Sequence, residues 1–209
     1  TFRDADGLWE EHDPMEIATP EAFTRDPELV YRFYNARRRK LPEVEPNEAH
    51  RSLARLQQEF DGQVFLVTQN VDDLHERGGS RQVCHMHGEL QAVLCESCRA
   101  SVPAPGDYDA ATECPACKRS GGLRPDVVWF GEMPYFMDEI EARLMDCDLF
   151  IAIGTSAVVY PAAGIVQLTP RTCRTVEINL DATAATDTFD QSIRGKASVE
   201  VPNFLQSLS

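Results

Sequence analysis

Leu149-Phe150-Ile151-Ala152-Ile153-Gly154-Thr155-Ser156 is a run of apolar residues that opens directly into a small, polar turn. Unbroken apolar strands belong to parallel sheets covered on both faces. A similar texture recurs at Val64-Phe65-Leu66-Val67-Thr68, Val127-Val128-Trp129-Phe130 and Thr175-Val176-Glu177-Ile178-Asn179. Helical signals lie between these runs. Thr19-Pro20 and Asp26-Pro27 each pair a cap with a first-turn proline, and Leu29, Val30, Phe33, Tyr34 and Arg37 then follow at helical spacing. Asn47 caps a helix carrying Leu53, Leu56 and Phe60, a short helix runs from Asp72 to Gly78-Gly79, another spans 137–146, and Pro161 starts one more. Strands alternating with helices predict an α/β fold built on a doubly wound parallel sheet.

Size and charge narrow the function. The chain has 209 residues, room for one substantial core and a small appended module. A net charge of -14 argues against a nucleic-acid binder driven by phosphate attraction and suits cationic partners such as Lys-rich protein segments. No apolar run approaches the roughly 20 residues of a membrane helix. Seven cysteines, an odd count with three scattered (Cys84, Cys147, Cys173), fit a reducing, cytoplasmic setting better than a secreted disulfide framework.

The other four cysteines form two Cys-x-x-Cys pairs, Cys95/Cys98 and Cys114/Cys117, separated by fifteen residues. Each pair puts two thiolates on a tight turn, and two such turns face each other across a tetrahedral zinc ion. Four thiolates leave no open position for water or substrate, so this zinc is expected to be structural. Just before them, residues 68–88 gather Gln69, Asn70, Asp72, His75, His85 and His87 after the first apolar run. Polar side chains at the carboxyl end of a strand mark the ligand site of an open α/β sheet. His87, beside Gly88 and near these polar neighbours, is a candidate proton acceptor at neutral pH, whereas His75 and His85 are read as structural. Gly154-Thr155-Ser156 offers backbone N–H groups and hydroxyls to an anion, and Asn179 could bond a ribose hydroxyl. Both suit a dinucleotide, although no Gly-x-Gly-x-x-Gly occurs in the chain.

Taken together these residues resemble the sirtuin family of NAD-dependent protein-lysine deacylases. Thr68-Gln69-Asn70-Val71-Asp72 is similar to its Thr-Gln-Asn-Ile-Asp motif, His87-Gly88 to its His-Gly, the four cysteines to its zinc ribbon, and Val127 to Glu132 to its substrate strand. Thr1-Phe2-Arg3 looks like the end of a Gly-Ile-Pro-x-Phe-Arg segment, so an upstream Gly-Ala-Gly-x-Ser phosphate loop is expected before it. The resemblance is nearest the class III branch, which includes bacterial deacylases and a mitochondrial desuccinylase. Tyr34-Asn35-Ala36-Arg37 stands where that branch carries Tyr-x-x-Arg.

The resemblance implies a Rossmann-like NAD-binding domain over 1–89 and 124–209, a helical module at about 13–60 within it, and a zinc-binding module at 90–123. It implies that the acyl-lysine carbonyl oxygen attacks C1′ of the nicotinamide ribose and that His87 then takes a proton from a ribose hydroxyl. Nicotinamide, free lysine and O-acyl-ADP-ribose would be the products. Asn70 would order ribose and a water, Gln69 would touch ribose, and Asp72 would meet the carboxamide. Phe2 would shield the reactive carbon, and Arg3 would lie near the phosphates. Gly154, Thr155, Ser156 and Asn179 would hold phosphate and ribose. Val128, Phe130, Gly131 and Glu132 would bind the acyl-lysine segment as an added strand against the loop around Ala157-Val158. Ala18 would widen the acyl pocket, where Tyr34 and Arg37 would grip the carboxylate of a succinyl or malonyl group, a contact suited to the guanidinium fork. Arg38, Arg39 and Lys40 are read as a solvated helix end. A monomer is expected. Two other readings are a mono-ADP-ribosyltransferase on the same scaffold and a non-catalytic zinc-ribbon interaction module.

Overall fold

A computed structural model of the chain describes residues 13–155 and 162–208. Phe2, Arg3, Ser156 and the loop around Ala157-Val158 lie outside the described residues. The contacts divide into two units, one formed up to residue 45 and by 68–73 and 85–135, the other by 46–67, 74–84 and 136 onward.

In the first unit, α1 (Pro14–Ile17), α2 (Pro20–Arg25) and α3 (Pro27–Lys40) all begin with proline. The side chains of Asp13, Thr19 and Asp26 accept the N–H groups of Met15, Ala22 and Leu29. A first-turn proline removes a donor that would have no partner, and the cap satisfies another. Helix α3 buries Val30, Tyr31, Phe33, Tyr34 and Arg37. Of the two-stranded sheet β1 (Leu66–Thr68) and β2 (Val83–His85), Thr68 and His85 belong to this unit. An antiparallel sheet of β3 (Gly88–Cys95), β4 (Ser101–Pro103) and β5 (Leu123–Val127) follows, in the order β4-β3-β5. Ile17, Val30, Phe33, Tyr34, Leu90, Val127 and Trp129 share one core, and Tyr31, Val93, Tyr108 and Leu123 pack around Cys95 and Cys114 in another.

The strand expected at 127–130 ends at Val127 and begins at Leu123. Charge hid it. Arg124 and Asp126 are buried in β5, but each is partnered: Arg124 with Glu132 at 2.6 Å, and Asp126 with Ser101 and with the Tyr135 hydroxyl at 2.8 Å. The helix end at Arg38 also differs from expectation. Its guanidinium stacks over the Tyr108 ring and donates to the Gly106 carbonyl, fastening the 102–112 loop, whereas Arg39 and Lys40 are exposed.

The second unit carries the expected parallel sheet. Its strands β6 (Leu149–Ile153), β7 (Arg174–Asn179) and β8 (Gln191–Arg194) lie in that order, all parallel. Around them lie α4 (Glu48–Glu59), α5 (Leu74–Arg77), α6 (Met137–Met145) and α7 (Ala197–Gln206). Asn47 caps α4 by accepting the N–H groups of Ala49 and His50, and His50 Nδ1 accepts the Asn47 N–H in return. Ala49, Leu53, Val176, Ile178, Val201, Phe204 and Leu205 form the core. A 3-10 turn, Ala162–Leu168, occupies the place of the helix expected after residue 161. Among the described residues, no helix is long and apolar enough to cross a membrane.

Glu177 is 1% exposed in the middle strand of this parallel sheet. Its carboxylate accepts from the hydroxyls of Thr183 and Thr186 and from Arg194 at 2.7 Å. Burial alone would raise its pKa, yet these donors outweigh it and hold the group below its ordinary 4.5. A depressed carboxylate stabilises the fold above its unfolded value of 4.5, and that contribution is lost as pH falls through the lower folded value. Glu177→Gln is therefore expected to cost about 1–3 kcal/mol at neutral pH, read by urea unfolding, and to flatten the loss of stability below pH 4.5. Equal acid sensitivity in both proteins would remove Glu177 from that role.

Candidate active site

His87 stands between β2 and β3, and the backbone on either side fixes it. Its carbonyl accepts the Val128 N–H at 2.9 Å. Gly88 follows at φ +78°, and a Cβ there would lie 2.1 Å from the Asp126 carbonyl oxygen. Only glycine permits this crossing of β3 and β5. The half-buried His87 ring sets Nδ1 3.1 Å from the Gln69 carbonyl oxygen. A carbonyl only accepts, so Nδ1 carries the proton and Nε2 is left as the basic nitrogen. Burial lowers the pKa below 6.5, and the Gln69 bond opposes this in part. The imidazole is therefore neutral at pH 7 and able to take a proton.

Gln69, Asn70 and Asp72 leave the end of β1 as expected. Asn70 is exposed, its N–H donates to Thr68 Oγ1 at 3.1 Å, and its carbonyl lies 3.4 Å from His85 Nδ1. Asp72 is buried, and its charge favours the protonated form of Arg37. His85 also lies 3.7 Å from Glu89, and His75 stacks edge-on against His50, in keeping with structural roles.

Tyr34 and Arg37 are 3% and 4% exposed on one face of α3. Arg37 lies over the Phe33 ring at 5.3 Å, and burial lowers its pKa against the pull of Tyr34 and Asp72. What holds Tyr34 lies 95 positions away in the chain. Trp129 Nε1–H donates to the Tyr34 hydroxyl oxygen at 3.0 Å. The phenol, pushed up to about 12 by burial, stays neutral. With one lone pair engaged, the hydroxyl still has its proton to donate.

Trp129 is itself clamped. The Arg124 guanidinium lies 3.6 Å from its ring centroid and grips Glu132 with two bonds, of 2.6 and 2.8 Å. Glu132 also accepts the Trp129 N–H at 2.8 Å. Burial would raise the pKa of Glu132, but Arg124 and that N–H hold it below 4.5. Its carboxylate thus braces the turn after β5. Phe130 is 46% exposed, donates its N–H to the Ala18 carbonyl at 2.9 Å, and precedes Gly131 at φ +88°. The first unit therefore joins Ala18, Tyr34, Arg37, Gln69, Asp72, His87, Val128, Phe130 and Glu132 through a series of contacts. No periodicity pointed to Arg124 or Trp129, because their partners lie far along the sequence or across a turn.

In the second unit, Gly154 N–H donates to the Ile178 carbonyl, and Asn179 Nδ2 donates to the Thr155 carbonyl at 2.6 Å. Gly154, Thr155 and Asn179 thus form one cluster at the carboxyl ends of β6 and β7, with the Asn179 amide engaged by the loop.

Cys95, Cys98, Cys114 and Cys117 have their sulfurs within 4.8 Å of one another, with Cys95–Cys117 at 3.7 Å and Cys98–Cys114 at 3.9 Å. A tetrahedron of Zn–S bonds of about 2.3 Å has edges of about 3.8 Å, so the set fits zinc. The Cys98 N–H, foremost, draws the Cys95 pKa down to about 6, so this thiol is readily ionised for a metal.

Comparison with known proteins extends this picture. A profile of the Sir2 family matches residues 1–161. A Vibrio vulnificus protein named NAD-dependent protein deacylase is 51% identical, the match covering 100% of this chain and 86% of that protein. An Escherichia coli K12 protein of the same name is also 51% identical, over 100% of this chain and 76% of its own length. The structure of a Sir2 homolog–NAD complex superimposes with a TM-score of 0.88 at 41% identity, covering 100% of this chain and 82% of the other. A Sir2 protein bound to acetylated peptide gives 0.78 at 27% identity, over 90% and 81%. With this family profile spanning most of its length and relatives sharing half its residues, the chain belongs to the Sir2 family.

Proposed function

We propose that the chain is an NAD-dependent protein-lysine deacylase that removes acetyl, succinyl and malonyl groups from lysine and yields nicotinamide and O-acyl-ADP-ribose. The observation that carries this reading is the state of His87: a neutral ring whose Nδ1–H is held by Gln69, leaving Nε2 as the acceptor. The names of the relatives and the NAD and acetyl-peptide complexes of Sir2 proteins support it. They favour deacylation over ADP-ribosyl transfer, and a bare zinc-ribbon module would leave His87 without a purpose.

When bound, NAD supplies an electrophilic ribose carbon with nicotinamide as its leaving group. His87 Nε2 takes the proton of a ribose hydroxyl as general base. Gln69, Asn70 and Asp72 hold the ribose and nicotinamide end. Gly154, Thr155, Ser156 and Asn179 hold ribose and phosphate, and Phe2 and Arg3 complete the cofactor contacts. The Val128 carbonyl orients the acyl-lysine N–H, and Phe130, Gly131 and Glu132 shape the substrate strand. Ala18 leaves room for the acyl chain. Tyr34 donates its O–H and Arg37 its paired N–H groups to a terminal carboxylate, for which the bond from Trp129 and the charge on Arg37 are suited. Cys95, Cys98, Cys114 and Cys117 hold a structural zinc within residues 90–123, and the rest of the chain forms the Rossmann-like domain with its helical module at about 13–60. We further propose a cytoplasmic monomer acting on Lys-rich protein segments; the net charge of -14 favours such targets over nucleic acid.

Turnover, substrate preference and metal content test this reading. His87→Ala is expected to lower kcat by about 10²–10⁴-fold with the unfolding midpoint retained. In the parent protein the acid limb of kcat/KM should fall below pH 6.5, since the base form is the active one. Full turnover by His87→Ala would exclude the ring as the base. Arg37→Met should reduce kcat/KM for a succinyl-lysine peptide by about 10–100-fold, the worth of a charge-assisted bond, and change an acetyl-lysine peptide far less. Matching losses on the two peptides would rule out a carboxylate grip. Elemental analysis should return about one zinc per chain. Its removal by a chelator should lower the thermal midpoint, and Cys98→Ser should lose most of the metal. A Cys98→Ser protein with unchanged zinc content would count against the four-thiolate site.

A further inference from the structure

Two thiols outside every site described so far face each other in the second unit. Cys147 lies just before β6 and Cys173 just before β7, with their sulfurs 3.1 Å apart. The backbone holds them there. Cys147 N–H bonds the Leu144 carbonyl, Cys173 N–H bonds the Pro170 carbonyl at 2.9 Å, and Arg174 N–H bonds the Asp148 carbonyl at 2.9 Å. The parallel ladder of β6 and β7 begins one residue later, where Leu149 faces Arg174. Two sulfurs fixed at the same end of adjacent strands need to close by only about 1 Å to reach an S–S bond of about 2.05 Å. They do not belong to a metal site, since among the described residues only the other four cysteines gather enough donors.

The two thiols differ in access. Cys173 is 5% exposed, and burial, reinforced by Cys147, pushes it up to about 12, so it keeps its proton. Cys147 is half-buried and is the one a small oxidant reaches first.

We propose that Cys147 and Cys173 form a reversible oxidation site that takes hydrogen peroxide as oxidant and closes to a disulfide. The Cys147 sulfur attacks a peroxide oxygen, the O–O bond breaks, and the leaving hydroxide takes up the thiol proton as water. Cys147 is then a sulfenic acid. The Cys173 sulfur attacks the Cys147 sulfur, the S–O bond breaks, and the Cys173 proton departs with the hydroxyl as a second water. Two thiols and one peroxide thus give one disulfide and two waters, with two electrons passing from sulfur to peroxide. A dithiol reductant reverses the bond by exchange. The bond ties together the starts of the two strands whose far ends carry Gly154, Thr155 and Asn179.

The test uses the full chain with its metal in place. Protein is treated with stoichiometric hydrogen peroxide, alkylated, denatured and digested without reductant for mass spectrometry. The expected result is a peptide joining Cys147 to Cys173 and a loss of two titratable thiols. Dithiothreitol should restore both, and Cys147→Ser should abolish the linked peptide. The proposal is overturned if both cysteines are alkylated after peroxide treatment, or if either pairs instead with Cys84 or with a cysteine of the 95–117 cluster. The parent protein alone decides the matter even if the serine variant folds poorly.

Discussion

One close passage of backbone decides where the chemistry of the first unit stands. Gly88 crosses β5 so tightly that a methyl group would fall 2.1 Å from the Asp126 carbonyl. This passage brings the His87 carbonyl to the Val128 N–H and turns the His87 ring toward Gln69. It also ends β5 at Val127, so that Trp129 drops into the core beside Tyr34 rather than continuing the ladder. The position of the imidazole and the position of the phenol thus share one cause. The ladder between β3 and β5 is irregular between Gly88 and Val93, the cost of admitting this crossing.

Each unit also hides a charge network in its sheet. In the first, Arg124 and Glu132 form a two-bond pair around Trp129. In the second, Glu177 collects hydroxyls and Arg194 around a carboxylate in β7. Buried ions of this kind contribute little net stability beyond what apolar groups would give, because desolvation offsets attraction. They do impose geometry. A guanidinium stacked on an indole and bound at both ends leaves that ring one orientation, and the Trp129 N–H then points at Tyr34.

Legibility in the sequence followed how local each signal was. The strand at Leu149–Ile153 and the caps at Thr19, Asp26 and Asn47 depend on neighbours a few residues away, and the structure has them where the pattern put them. The four cysteines were legible for the same reason, since each pair is a single turn. By contrast β5 lies earlier than the apolar run at 127–130 because Arg124, Pro125 and Asp126 carry no strand signal, and only partners at Ser101, Glu132 and Tyr135 make burial of the two charges tolerable. Nothing near Arg38 in the chain signals its partial burial, because its anchors, Tyr108 and Gly106, lie about seventy positions away. Strand β8 and helix α7 carry only weak local signals. The exposed residues of β8 and Pro202 inside α7 weakened both patterns.

On the proposed function, the arrangement around Tyr34 separates two demands that a carboxylate-reading pocket must meet together. A phenol beside a guanidinium could lose its proton and become a second anion, which would repel an acidic acyl group. Burial prevents this by holding the Tyr34 pKa up to about 12 despite Arg37. A neutral phenol could in turn spend its proton on a protein carbonyl. Accepting the Trp129 N–H uses a lone pair and not that proton, so the phenol remains a hydrogen-bond donor. Arg37 meets the opposite hazard, loss of charge on burial, and the nearby Asp72 works against it. On the proposed reading, discrimination between acetyl and succinyl groups then depends on a balance inside α3's buried face. Arg37 must remain charged through Asp72 yet be bound loosely enough by it that a ligand carboxylate can take its place at the fork.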